Sequence, residues 1–363
     1  MTRTGAHILH VFPGFGPGGT QMRTVQLFGM MPADLRHTIL AMDGVYDCAQ
    51  HIPEGVAYAT LPAPPNRSFF GMGKFMAELL DTHQPDAVMT YNWGSIEMVL
   101  GARKRRFSPL IHHEDGFGPE EAHRFLWRRT WIRRILLRST TGIAVPSRNL
   151  QNLAMKLWKQ PAEKVCFLPN GVDLERFHPQ SVAERSVVIG HVAHLRPEKN
   201  QGLLLAAFAA TPSRHLARLR IVGDGGERAG LETLARDLGV GDLVDFVGSV
   251  DDTAPVYREM DVFALSSDTE QMPLTVLEAM ASGLPIVATD VGDVRAMVHQ
   301  SNQGLMSPPA DARALSLNLE RLITDPDTRR RLGEQNRSHC ESHYSKDACY
   351  QAWIDFYARL LGW

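Results

Sequence analysis

A chain of 363 residues, 44% hydrophobic and 21% charged, is too long for one ordinary domain and apolar enough for each half to bury its own core. Disordered, collagen-like and coiled-coil architectures are thereby excluded. The formal net charge of −2 excludes a protein built mainly to bind nucleic acid. It hides an asymmetry: residues 1–180 carry 20 Lys and Arg against 15 Asp and Glu, and the remainder 18 against 25. Only the first half has an electrostatic reason to face an anionic surface or substrate.

The four cysteines (Cys48, Cys166, Cys340, Cys349) form no C-x-x-C pair and are read as idle or buried thiols. The opening Met1-Thr-Arg-Thr-Gly5 lacks the apolar core of a signal peptide. The longest apolar run, near Leu203 to Ala210, is well short of the ~18 residues of a membrane span. A cytoplasmic location is expected.

Short apolar runs predict strands at Ile8–Phe12, Thr38–Met42, Ala87–Tyr91, Leu110–His112, Gly142–Val145 and Val165–Leu168. A second set follows at Val187–Val192, Leu219–Val222, Val244–Val247, Val262–Leu265 and Pro285–Ala288. Helical periods lie between them, such as Leu231, Leu234, Ala235 and Leu238. Strands alternating with helices make parallel sheets covered on both faces, so two sets predict two doubly wound, Rossmann-like α/β domains. The expected division is 1–180, 181–345 and a terminal helix over 346–363, with the seam in the polar stretch Phe177–Arg185. Ligands of such sheets sit beyond the carboxyl ends of the strands, and for two domains the natural place is the cleft between them.

After the first strand, Gly14, Gly16 and Gly19 outline a G-x-G-x-x-G, with Asp43 ending the second strand. Pro17 removes an N–H from the turn that would cradle a pyrophosphate, which demotes an NAD site. The loop is read instead as a glycine turn opening a helix from Thr20, whose N-terminus suits an anion. Further on, Asn92 ends one strand, and His112, His113, Glu114 and Asp115 crowd the end of the next, where site-lining groups are expected.

Arg103-Lys-Arg-Arg106 and the six arginines from Arg124 to Arg138 make this half basic, with Trp127 and Trp131 among them. On a helical wheel those six arginines surround the helix, so no clean interfacial stripe is visible. The patch can still draw the chain to an anionic membrane surface or a lipid-diphosphate acceptor, or else be a solvated face making salt bridges.

In the second half, Pro273 suits the first position of a helix in which Leu274, Leu277 and Ala281 form a buried stripe, with Glu278 beside it. A carboxylate there needs a partner, either within the protein or in the hydroxyl pair of a ligand. Glu270 precedes the helix, so two acids flank a helix N-terminus that favours phosphate, an arrangement suited to a sugar nucleotide.

The segment Thr269-Glu-Gln-Met-Pro-Leu-Thr-Val-Leu-Glu-Ala-Met-Ala-Ser-Gly-Leu-Pro-Ile-Val-Ala-Thr289 closely resembles the hallmark of the retaining, family 4 (group 1) nucleotide-sugar glycosyltransferases of the GT-B fold. Leu168-Pro-Asn-Gly-Val-Asp173 resembles that family's entry to the interdomain linker. Val192-Ala-His-Leu-Arg-Pro-Glu-Lys-Asn200 resembles its phosphate loop, and Ile221-Val-Gly-Asp-Gly225, with Gly223, its next strand end. Phe246-Val-Gly-Ser249, with Val247, is similar to the loop beside the nucleotide base, and Gly18-Gly19 to the glycine pair of the first domain. The resemblance implies that Glu278 holds the ribose hydroxyls and Glu270 contacts the transferred sugar. Lys199 would neutralise the diphosphate together with the backbone N–H groups of Leu274 and Thr275.

Either His194 or Arg196 would stand in for a family arginine, and either His113 or Asp115 for a family histidine facing the sugar. Gln21 and Gln271 depart from the family's usual Glu and Gly. Asn92 and Glu114 are candidates for the acceptor side.

The resemblance further implies a hexosyltransferase working without metal or cofactor. Its donor would be a nucleoside-diphosphate sugar, and its acceptor a glycan or a lipid-linked one. It would serve bacterial surface or exopolysaccharide synthesis, in the cytoplasm or peripherally on the inner face of the membrane. The segment Tyr350–Leu361 is fit to be the last helix that crosses back to the first domain. A GT-B sugar-nucleotide epimerase or hydrolase and a non-catalytic sugar-nucleotide-binding protein remain the alternatives.

Overall fold

The computed structural model of the chain describes residues 5–117, 119–121, 124–180 and 186–362. The chain divides into two compact units, Met1–Asn170 with Cys349–Trp363, and Gly171–Ala348. The first boundary falls ahead of the seam expected near residue 180, because the segment after Asn170 is already tied into the second unit. Val172 and Phe177 are buried in that unit's core, the Val172 N–H donates to Tyr344 O at 2.9 Å, and Val172 O accepts from the Lys346 N–H at 2.9 Å. Residues 181–185 of the expected seam lie outside the described residues.

The first unit holds a seven-stranded sheet, all of whose recorded pairings are parallel: β1 (His7–Phe12), β2 (Arg36–Ala41), β3 (Ala57–Leu61), β4 (Ala87–Tyr91), β5 (Leu110–His113), β6 (Gly142–Val145) and β7 (Val165–Phe167). Their spatial order is β3-β2-β1-β4-β5-β6-β7. Helices α1 (Gly19–Phe28), α2 (Phe69–His83), α3 (Ile96–Arg105), α4 (Trp127–Leu136) and α5 (Arg148–Lys156) complete it, with the terminal helix described below. Successive side chains of a strand point to opposite faces. Ile8 and Phe12 accordingly enter one core, and Leu9 and Val11 the other. That two-sided burial explains why β1 reads as a nearly continuous apolar run. The edge strand β3 escapes sequence detection because nearly all its residues are exposed, leaving no apolar pattern to read.

The second unit holds a six-stranded sheet in the order β10-β9-β8-β11-β12-β13. Its strands are β8 (Val187–Val192), β9 (Ala217–Val222), β10 (Val244–Gly248), β11 (Val262–Leu265), β12 (Ile286–Thr289) and β13 (Met306–Ser307). The helices are α6 (Gln201–Ala210), α7 (Arg228–Asp237), α8 (Ala254–Arg258), α9 (Leu274–Ala281), α10 (Val294–Met297), α11 (Ala312–Thr324) and α12 (Pro326–His343). The last helix, α13 (Lys346–Leu361), places Tyr350, Trp353, Phe356 and Tyr357 in the first unit's core.

In each sheet the strand order reverses once, between β1 and β4 and between β8 and β11. The chain leaves those strand pairs in diverging directions, which opens a crevice at their carboxyl ends. Register completes the placement in the first unit. Tyr91 pairs with His113, so Asn92 and the residues after β5 emerge side by side.

Candidate active site

In the second unit, the loops after β8 and β11 are stitched together. Asn200 closes the Pro197–Lys199 turn in a left-handed conformation (φ 44°). Its Nδ2 donates to Asp268 Oδ1 at 2.8 Å, the Asp268 N–H donates to Glu198 O at 2.9 Å, and Ser266 Oγ donates to Lys199 O at 3.1 Å. Held by these bonds, Lys199 Nζ donates to Glu270 Oε1 at 2.6 Å. Ser267 Oγ donates to the same oxygen at 2.7 Å. The Lys199 and Glu270 side chains remain 25% and 10% exposed. No described residue donates to Glu270 Oε2.

Close packing keeps this pair in place. Gly292 has a positive φ (56°), and a Cβ there would lie 2.2 Å from Glu270 O. Gly223 (φ 128°) serves the other loop in the same way, since a Cβ would meet Ala193 O at 1.9 Å. Only glycine combines that backbone with that clearance. His194 and Arg196 both project into solvent from the β8 loop, and Val247 is exposed near the end of β10.

Helix α9 begins at Leu274, one residue later than expected, because Pro273 is extended (ψ 124°) and serves as the N-cap. The N–H groups of Leu274 and Thr275 have no intrahelical acceptor ahead of them. The buried surface of α9 is wider than the expected stripe, with Val276, Leu277, Ala279, Met280 and Ala281 all buried. Leu274, Thr275 and Glu278 occupy the one face left partly open. Glu278 Oε2 accepts from Tyr257 Oη at 2.8 Å, and no described residue donates to Oε1. Burial raises the Glu278 carboxyl above its ordinary range, against the Tyr257 hydrogen bond, which lowers it.

In the first unit, Gly18 is the extended N-cap of α1 and Gly19 its first residue. Arg23, one turn on, makes a two-point contact with Asp115, Nη1 to Oδ1 at 2.5 Å and Nη2 to Oδ2 at 3.0 Å. Its Nη1 also donates to Asn170 Oδ1 at 2.9 Å, and its guanidinium lies 4.2 Å from the Trp353 ring centroid. The Asp115 N–H donates to Asn92 Oδ1 at 2.7 Å. Asn92 adopts a positive φ of 55°. Asn92 and Asp115 thus form one cluster, as the strand ends implied.

His113 and Glu114 do not belong to that cluster, contrary to expectation. His113 is wholly buried, with Nδ1 3.1 Å from Thr90 O and Nε2 2.8 Å from Tyr357 Oη. Burial drives its pKa well below the imidazole range. Neither ring nitrogen is left for a ligand. Glu114 is also wholly buried and accepts from Arg133 Nε at 3.0 Å. A buried carboxylate needs such a partner, and this one found it on α4. Asp115 is therefore the acid of the stretch that keeps some exposure.

Sequence reasoning missed Arg23, Ser267, Asn200, Asp268 and Tyr257. The polar run Ser266-Ser267-Asp268 ahead of Glu270 could have drawn attention to itself. Arg23 and Tyr257 carry no local signal, since their partners are 92 and 21 residues away.

Comparison with known proteins finds matches over both units. Residues 173–339 match the family model described as glycosyl transferases group 1, and residues 18–171 match the model of a glycosyl transferase 4-like domain. The chain belongs to the family of group 1 glycosyl transferases. Among curated relatives, this glycosyltransferase is 34% identical over 155 residues to the lipopolysaccharide core biosynthesis glycosyltransferase LpsE of Rhizobium meliloti, covering 43% of the chain and 45% of LpsE. It is 25% identical over 274 residues to an N-acetyl-alpha-D-glucosaminyl L-malate synthase of Bacillus anthracis, covering 76% of the chain and 68% of the relative. The glycosyltransferase spans about half the length of several curated relatives it matches. Its fold is GT-B. HepE of Anabaena, solved in complex with UDP, superposes with a TM-score of 0.82 at 20% identity, covering 98% of this glycosyltransferase and all of HepE.

Proposed function

We propose that this glycosyltransferase moves a sugar from a nucleoside-diphosphate sugar to a glycan or lipid-linked acceptor, with retention of anomeric configuration, in bacterial surface or exopolysaccharide synthesis. The carrying observation is the Lys199–Glu270 pair, linked at 2.6 Å, which joins the β8 loop to the loop that leads into α9, whose open face also bears Glu278.

A nucleoside diphosphate departs with increasing negative charge on its terminal phosphate, so fixed positive potential there accelerates the step. The Lys199 ammonium and the Leu274 and Thr275 N–H groups supply it. Glu278 accepts the two ribose hydroxyls with Oε1, while Tyr257 holds Oε2 in place. Glu270 accepts from a sugar hydroxyl through Oε2, its Oε1 remaining with Lys199 and Ser267. The bond from the anomeric carbon to the phosphate oxygen breaks, and the bond to the acceptor oxygen forms on the same face. The acceptor proton leaves with the departing phosphate oxygen. Asn92 and Asp115 stand on the acceptor side, and either His194 or Arg196 adds charge at the diphosphate. Support comes from the family and from HepE, a structural neighbour solved in complex with UDP.

A thermal-shift screen against UDP, GDP, ADP, their common sugars and NAD tests the proposal. A ligand at 100 times its dissociation constant adds about 2.7 kcal/mol, a readily visible rise in melting temperature. Stabilisation by one diphosphate series is expected and identifies the base. A response to NAD alone overturns the assignment. Donor turnover that proceeds identically without any acceptor identifies a hydrolase or epimerase instead.

A further inference from the structure

The fold sorts the six arginines that surround α4 in projection. Arg133 turns inward, 1% exposed, its Nε 3.0 Å from Glu114 and its Nη1 3.0 Å from Glu121, with its guanidinium over the Trp93 and Trp158 rings. Arg129 leans toward Glu120 and Glu121 and over Trp93. Facing outward at i, i+4 and i+8 are Trp127, Trp131 and Ile135, exposed by 71%, 52% and 48%. At 1.5 Å per residue they form a stripe about 12 Å long. Phe125 and Leu126 extend it, and Phe70 stands 72% exposed at the start of α2.

The stripe is rimmed by positive charge. Arg124, Arg128 and Arg138 are exposed, and Arg134 stacks 4.9 Å from the Trp131 centroid. Arg103 to Arg106, at the end of α3, are exposed too. The acids among them are engaged: Glu120 and Glu121 with Arg129, and Asp81 with Arg105. Two depressions flank the helix. One, of about 540 Å³, is apolar and lined by Phe69, Phe70, Trp93, Trp127 and Ile132 among others. The other, of about 310 Å³, is lined by Arg103, Ile135, Arg138 and Ser139.

Large apolar groups grouped on a surface mark a site of interaction. Indoles ringed by arginines match the boundary layer of a bilayer, where the rings take the apolar side and the cations the phosphates. We propose that this face of the first unit docks on an anionic phospholipid bilayer. Trp127, Trp131 and Phe70 enter the interfacial layer, and Arg128, Arg134, Arg138 and Arg103 engage headgroup phosphates. The contact is peripheral, since no helix among the described residues is long and apolar enough to cross a membrane. The charge rim decides for this occupant, because an uncharged apolar partner would gain nothing from it. The inference stands apart from the sugar-transfer assignment, whose donor groups lie in the second unit.

The test is flotation of the full chain with vesicles of phosphatidylcholine alone and of an equal mixture with phosphatidylglycerol. Flotation with the anionic vesicles only, abolished by 1 M salt, is expected. The double variants W127S/W131S and R128E/R138E should each lower partitioning on the order of tenfold or more. Because these side chains are exposed, melting temperature and any shift produced by nucleotide diphosphates should stay at the parent values. The proposal is overturned by absence of flotation, by equal flotation with both vesicles, or by double variants that float like the parent. It is also overturned if the face instead mediates a dimer, seen in sedimentation and lost in W127S/W131S, without vesicle binding.

Discussion

Lys199 and Glu270 are 71 positions apart in the chain, yet the ammonium of one lies 2.6 Å from the carboxylate of the other. Each is the other's charge partner, so neither cation nor anion sits uncompensated at the mouth of the sheet. A partly exposed pair of this kind contributes little to stability, about 0–1 kcal/mol. Its significance is the position it gives Lys199. The K199A variant should lose turnover on the order of 100-fold, as expected for removing one electrostatic donor from a leaving group. Its melting temperature should barely move. Steady-state rates at saturating donor check this, and unchanged turnover would remove Lys199 from the leaving-group site.

Glu278 presents Oε1 beside the open face of α9 while Tyr257 holds Oε2. E278Q should weaken nucleoside-diphosphate binding by on the order of 10- to 100-fold, the range for a lost hydrogen bond to a charged group. The Y257F variant should weaken it less, because the carboxylate remains and only its anchor is lost. Calorimetric titration of both variants measures the difference, and equal affinity in E278Q and parent would refute ribose binding by this residue.

Arg23 orients Asp115 through two parallel hydrogen bonds, a geometry lysine cannot reproduce. In R23K the charge persists but the carboxylate is released to swing. Turnover should fall on the order of tenfold or more through misplacement alone. Nucleotide affinity, which the proposed function assigns to the second unit, should match the parent. An R23K enzyme with normal turnover would show that the orientation of Asp115 is immaterial to transfer.

Arg133 neutralises two buried acids, Glu114 and Glu121. Its replacement in R133M leaves Glu114 without its cation and Glu121 with Arg129 alone, and the first unit should lose about 3–5 kcal/mol. Chemical denaturation gives the figure, while nucleotide affinity of the folded variant should not change. A loss below 1 kcal/mol would mean that water or another cation reaches the two acids.

Burial lowers the imidazoles of His37 and His191 from 6.5 to about 4. Unfolding restores the ordinary value, so between pH 6.5 and 4 the unfolded chain binds more protons than the folded one. Stability is therefore full above pH 6.5 and falls as pH drops, by about 1.4 kcal/mol per unit for each group. His10 and His113 are shifted in the same direction, so the first unit should lose stability more steeply than the second. Urea midpoints from pH 7.5 to 5 report the slope, and a flat profile would show these rings protonated in the native state.

Much of the architecture was legible because it is written locally. Continuous apolar runs such as Val187–Val192 and Val262–Leu265 became central parallel strands, buried on both faces. The second-unit site was legible as well, since its parts are compact segments: a turn, a helix start and two glutamates eight positions apart. The edge strand β3 was not, because an exposed edge need not be apolar. The unit boundary at Asn170 was not either, since it depends on Val172 hydrogen-bonding with residues around 345.

The chain by itself determined two doubly wound units and the spacing that puts Glu270 ahead of a helix N-terminus and Glu278 inside the helix, because backbone periodicity and turn chemistry act over a few residues. Tertiary structure alone decided which polar side chains remain available. It sealed His113 between Thr90 and Tyr357, consumed Glu114 in a pair with Arg133, and left Asp115 to Arg23. By drawing Arg133 inward it also turned a helix with arginines on every side into one with a tryptophan stripe facing out. A buried charge must find a partner wherever the fold supplies one, and such partners stand far away in sequence.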